Sequence, residues 1–273
     1  MGLDKFTLLV FCMLCSLGFA NEALASKPAK YWSLWDRSNE QYPRGIDHRG
    51  FDQLLDKYVI IDHPSGINRF RYAGVMQSDA RLLDRYIKKM AAIDPRHYPR
   101  TEQKAYWLNL YNALTIQQLL RVYPVQSLPG PRIKGKKLLR VAGVKLSLND
   151  IENRIVRPIW QDPKLLFGLS CASLGCPHIQ HRAFTAENSE ALLIKSVTEF
   201  VNHPRGLQVS RQQLKASALF DWYAADFGSD KRLLRFLAHY ADDQKALYLL
   251  GFQGEIGYQY DDRINAPGNP WPL

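Results

Sequence analysis

The chain has 273 residues, 46% of them hydrophobic and 23% charged, with a formal net charge of +10. That length can bury a substantial core as one large domain, and no internal repeat or low-complexity linker divides it. Beyond the N-terminal stretch no segment reaches eighteen uninterrupted apolar residues, which favours a soluble mature protein over one anchored by a helix.

At the N-terminus Lys5 precedes the uncharged stretch Phe6 to Ala20, and Ala23-Leu24-Ala25 supplies small residues at the spacing of a signal-peptide cut. The expectation is a leader over 1–25, removed so that the mature chain starts at Ser26, and a soluble periplasmic or secreted protein with no stable membrane span. Cleavage takes away Asp4, Lys5 and Glu22, one cation and two anions, so +10 becomes +11. In that compartment the charge favours an anionic cell-envelope component or a peptide as partner, and nucleic acid is not expected. Solubility alone also accounts for it, because Lys and Arg are spread along the chain. The densest cluster is Lys134, Lys136 and Lys137 with Arg132 and Arg140. Cleavage also removes Cys12 and Cys15, leaving Cys171 and Cys176 in an oxidising environment.

Residues 26–46 read as an irregular arm with a Trp32/Trp35 pair. Phe51, Leu54, Leu55, Tyr58 and Val59 then recur at helical spacing, as do Leu82, Leu83, Tyr86, Ile87 and Met90. Thr101 is the expected cap of a third helix with Tyr106, Leu110, Leu114 and Leu119 on its apolar side, stopped at Tyr123-Pro124. Leu138 to Leu146 alternates like a hairpin around Gly143. Ser147 with Asp150 signals the start of a helix ending near Pro158. Leu165 to Ser170 reads as a buried strand, Thr185 as the cap of a helix to Val201, and Leu207 to Ser210 as a short strand. Helices follow over Ala218–Phe227 and Lys231–Tyr240, and the aromatic, glycine-interrupted stretch Tyr248 to Ile264 suits a final pair of strands. Helices outnumber strands without βαβ alternation, so the fold class is α+β: a helix-rich single domain with a small, mostly antiparallel sheet.

The segment Cys171 to Arg182 crowds two thiols, His178, His181 and a cation into twelve residues. Pro177 suits a first helical position, which would put Cys176 at an N-cap, where backbone N–H groups ease thiol ionisation and make a nucleophile. Cys171, nearer the apolar run, is expected to be the more buried of the two. Three other readings stand beside this one: a disulfide worth about 2 kcal/mol across so short a loop, a metal site of Cys171, Cys176, His178 and His181 without standard zinc spacing, and a redox pair lacking the usual two-residue spacing. No cofactor-binding pattern is present.

Several stretches together resemble the domain of unknown function 547 family, found in exported bacterial proteins and in plant proteins: Asp47 to Tyr58, Phe70 to Gly74, Trp107 to Thr115, Leu146 to Glu152, the cysteine segment, and Phe220 to Phe227. The resemblance covers about 47–265, leaving 266–273 as a tail. It implies no settled activity, although the cysteine segment is similar in arrangement to a papain-like thiol site. The family pattern carries histidines where this chain has Asn153 and Leu165 or Leu166, and His48, which does match, becomes the leading base. The resulting expectation is a thiol-dependent hydrolase or acyl transferase acting on an envelope peptide or amide, with Cys176 as nucleophile, His48 as base, Asn109 or Asn112 as oxyanion helper and Glu152 as orienting residue. The blander readings are loop-tying for the two asparagines, an ion pair with Arg157 for Glu152, and core packing for Trp222, Tyr223 and Phe227. At the level of the whole protein the alternative is a non-catalytic envelope binding or scaffold protein with a Cys171–Cys176 disulfide.

Overall fold

The computed structural model describes residues 30–127, 134–210 and 213–268. The expected leader, residues 26–29 of the arm, Arg132 and the end of the tail lie outside the described residues. Its architecture is helix-rich α+β, with small sheets of two or three strands.

The centre is α3 (Arg100–Val122), whose residues from Ala105 to Ile116 are all buried. The expected one-sided apolar pattern understates it, since Asn109, Asn112 and Thr115 are buried too, as befits a helix wrapped by other elements. α2 (Gln77–Ala91) packs against α3 and α1 (Arg49–Tyr58) against α2, each burying the face its apolar spacing marks. α3 begins before Thr101, after Pro99, because Pro99 cannot donate the N–H a helix interior needs. In the arm, Lys30 and Trp32 donate backbone N–H groups to Asn153 and Arg154 carbonyls, and Trp35 stacks edge-on against Trp107 with ring centroids 5.2 Å apart.

β1 (Val59–Ile60) and β2 (Arg69–Phe70) form one antiparallel pair. The expected hairpin is β3 (Leu139–Val141) and β4 (Val144–Leu146), turned by Ala142 and Gly143 at φ 43° and 81°, a bend that glycine makes without steric cost. Ser147 and Asp150 form the expected capping box at the start of α4 (Leu148–Asp150). The helix ends near Pro158 as expected, two residues past it, at Trp160. It widens into a π-helical turn over Ile151–Val156 and continues as α5 (Arg157–Trp160), with Pro158 in the first turn, where its missing N–H is tolerated.

Leu165 to Ser170 is not a strand. Asp162 accepts from the Lys164 N–H and Pro163 follows it, so a 3-10 helix over Pro163–Gly168 forms instead, buried as the apolar run requires. No helix starts at Pro177. Residues 177–180 are irregular, held by Asn68, which donates Nδ2 to the Ile179 carbonyl and its N–H to His178 Nδ1. Thr185 pairs reciprocally with Asn188 in a turn, which delays α6 to Ser189–Asn202.

β5 (Leu207–Ser210) pairs antiparallel with β6 (Gln213–Ser217). The stretch from Ala218 breaks at Tyr223 into α7 (Ala218–Trp222) and α8 (Ala224–Phe227), and α9 (Asp230–Tyr240) follows. The expected pair of tail strands reduces to one. Asp242 caps α10 (Asp243–Gly251), which takes in Tyr248, and β7 (Ile256–Gln259) runs parallel to β6. A second core, built on Val197, Phe200, Leu214 and Phe220, fills this half.

Candidate functional site around the disulfide loop

Cys171 and Cys176 are joined in a disulfide, with Cα atoms 5.9 Å apart, inside the range such bonds require. Their burial is the reverse of expectation. Cys176 is 2% exposed, whereas Cys171 is only partly covered, because the chain's last stretch closes over the end of the loop. Leu174 and Gly175 donate their N–H groups to the carbonyls of Arg263 and Asp261, and Asn265 donates to Ala172. At Gly175 a Cβ would fall 2.7 Å from both the Asp261 nitrogen and the Tyr260 ring, so the close approach needs a glycine.

Tyr260 caps the bond. Its hydroxyl lies 3.2 Å from Cys171 Sγ and 3.3 Å from Cys176 Sγ, and because disulfide sulfurs carry no proton, the hydroxyl is the donor. Burial raises its pKa, so it stays protonated at neutral pH.

Asn109 and Asn112, one helical turn apart on α3, clamp the chain on either side of the loop. Asn112 donates to the Gly168 carbonyl at 2.9 Å and accepts from the Ser170 N–H at 2.8 Å. Asn109 donates to the Phe184 carbonyl at 2.7 Å and accepts from the Phe184 N–H at 2.9 Å. Both amides are thus engaged in tying backbone.

Glu152 sits on the π-helical turn, 2% exposed. It accepts from Tyr111 at 2.9 Å, from Tyr223, and from Lys134 at 3.3 Å. Burial works against its charge, yet Lys134 and the two tyrosines hold the carboxyl below its usual value. Arg157 is not its ion-pair partner. That guanidinium forks onto Asp226 at 2.6 and 2.9 Å, also donates to Asn153, and lies over the Tyr223 ring. Asn153, one of the departures from the family pattern, thus has a bonded place beside Arg157.

His48 immediately precedes α1 and bonds Tyr86 through Nδ1 at 2.8 Å, while its Nε2 is sealed from solvent without a partner. Burial pushes it down to about 4, so it is neutral at pH 7. Among the described residues no hydrogen bond links it to either cysteine. His178 accepts from Asn68 at Nδ1 and meets Glu199 at 2.8 Å through Nε2, so the neutral ring donates to that carboxylate. With both sulfurs bonded to each other, the ligand set of Cys171, Cys176, His178 and His181 is not assembled.

Residues 95–201 match the family described as a protein of unknown function, DUF547. The DUF547 segment holds Asn109, Asn112, Glu152 and both cysteines; His48, the stretch around Phe220 and Tyr260 lie outside it. Neither the curated proteins nor the solved structures gave a match.

Sequence reasoning missed Tyr260, which no motif marks, and the tyrosine and lysine partners of Glu152. Tyr111 and Tyr223 do stand in the stretches that carried the resemblance, where Tyr223 reads as core and Tyr111 has no separate role. The basic cluster at 132–140 is also less free than its charge implies, since Lys134 and Lys137 face Glu152 and Asp150.

Proposed function

We propose that the protein works outside the cytoplasm as a non-catalytic binding or scaffold protein, its disulfide loop fixing one wall of a basic cleft that meets an anionic envelope component. The observation that carries this reading is the Cys171–Cys176 bond. A thiol-dependent hydrolase needs a free thiolate with a base in reach, and here both sulfurs are spent on each other. A disulfide is also at home in the oxidising compartment to which a leader over 1–25 would send the chain. The two amides that could have served an oxyanion hold the loop in place instead. Among the described residues no helix is long and apolar enough to cross a membrane, so contact with the envelope would be at its surface.

Cosedimentation with vesicles tests the reading. The exported protein should bind phosphatidylglycerol vesicles in preference to phosphatidylcholine ones, with binding that weakens as salt rises. The Cys171→Ser/Cys176→Ser variant should lose about 2 kcal/mol of stability and still bind. Absence of any preference for anionic vesicles, or turnover of a peptide or amide that disappears in Cys176→Ser, would overturn the proposal.

A further inference from the structure

Behind the disulfide loop, a cleft of about 1110 Å³ opens between the 203–206 turn, the β5–β6 pair and the 259–263 stretch. Its size compares with that of small-molecule pockets. Arg205 lines it while being only 2% exposed. Its Nη1 donates to the Leu174 carbonyl inside the disulfide loop at 3.3 Å, and its Nε has no partner among the described residues. A second buried guanidinium, Arg69, 0% exposed, lies behind the cleft-lining Ser65, to whose Oγ it donates at 2.9 Å; among the described residues its Nη1 is likewise unpartnered.

Among the described residues neither arginine forms an ion pair with a carboxylate. Glu199, whose charge favours Arg205, is already bonded to His178 and Lys195. Buried cations normally come with a counter-charge, and two of them side by side destabilise each other. Burial and the Arg69 charge bring Arg205 down to about 9, and burial, partly offset by Asp261, brings Arg69 down to about 10. The cleft therefore holds more positive charge than the described residues neutralise. Lys215, Lys245 and Arg263 add three cations at its walls; Arg263 is tied to Asp261 at 2.5 Å and Lys245 to Asp242 at 3.0 Å, and Asp262 is the other carboxylate of the lining.

We propose that this cleft binds a phosphate group, carried by a small organic molecule or a lipid headgroup, at Arg205 and Lys215, with the buried Arg69 guanidinium behind Ser65 adding its charge. A phosphate monoester brings nearly two negative charges and three acceptor oxygens, enough to face two guanidiniums, where a carboxylate brings one charge and two oxygens. Val209 and the Tyr260 ring line the same cleft and offer contact to the organic remainder. The site names the ligand of the cleft in the binding reading above and rests on it.

Thermal unfolding of the whole protein in inorganic phosphate, against chloride at equal ionic strength, tests the site. At a hundred times Kd the midpoint should rise by about 5–10 °C. Arg205→Met, which replaces an unpaired buried charge by an apolar side chain of similar length, should unfold in chloride at an equal or higher temperature and lose the phosphate response. Should that variant fail to fold, Lys215→Ala, an exposed position on the central strand β6, decides, with several-fold weaker phosphate binding expected. No phosphate-specific rise in the wild type, a rise undiminished in Arg205→Met, or unchanged affinity in Lys215→Ala would overturn the proposal. Binding of glycerol 3-phosphate without phosphatidic acid vesicles assigns a soluble ligand, and the reverse assigns a headgroup; either supports the site. A missing phosphate response with preference for anionic vesicles intact removes this site alone, whereas loss of both removes the binding reading with it.

Discussion

Glu152→Ala is expected to destabilise the protein by about 3–5 kcal/mol, the cost of leaving two buried hydroxyls without their charged acceptor. Tyr111, Tyr223 and Lys134 all donate to this carboxylate, and its removal strands two buried hydroxyls and a lysine that is 37% exposed. Because these donors come from α3, the Tyr223 break and the segment before β3, the loss should loosen the junction between the two cores rather than one helix. Glu152→Gln keeps an acceptor for the tyrosines and should cost less. Urea unfolding with unchanged m-values would measure both, and a loss below about 1 kcal/mol for the alanine variant would show that the network carries little.

The second large effect is acid sensitivity. His48 and His178, 4% and 5% exposed, are both pushed from 6.5 to about 4, mainly by burial. For His178 the Glu199 hydrogen bond opposes the shift, and the Arg205 and Lys195 charges add to it. Below pH 6.5 the unfolded chain takes up protons at these rings while the folded one does not. Stability is therefore fully present above 6.5 and falls as pH drops toward 4, by on the order of 3 kcal/mol per histidine. The lowered carboxyl of Glu152 acts in the same direction further down, below its ordinary 4.5. Urea midpoints at pH 7 and pH 4.5 would show the loss, and His178→Gln should flatten the profile. Equal midpoints for the wild type at the two pH values would mean that the buried rings titrate normally.

How far these features can be read from the chain depends on sequence distance. The apolar spacing of α1 and α2 and the turn at Gly143 are local, so they are legible. Leu165 to Ser170 was not, because a short apolar run suits a buried strand and a buried helical turn alike, and only the Asp162-Pro163 start signal separates them. Asp242 gives the same kind of signal for α10. Pro177 announced a helix that tertiary contacts from Asn68, more than a hundred residues away, hold in irregular form. The site divides in the same way. Asn109, Asn112 and the nearness of the two cysteines could be picked out by type and spacing. The partners of Glu152 lie 41 residues before it and 71 after, and nothing in the surroundings of Arg69 or Arg205 marks them as buried neighbours of one cleft.

The state of the two cysteines tests the account most directly. Protein recovered under native conditions and alkylated in denaturant without reductant should yield the tryptic peptide 165–182 unlabelled, two hydrogens lighter than its reduced form, and should take two alkyl groups only after reduction. A peptide that carries label without reductant would contradict the structural role of this pair, and labelling of the native protein faster at Cys176 than at Cys171 would return residue 176 to the standing of a candidate nucleophile.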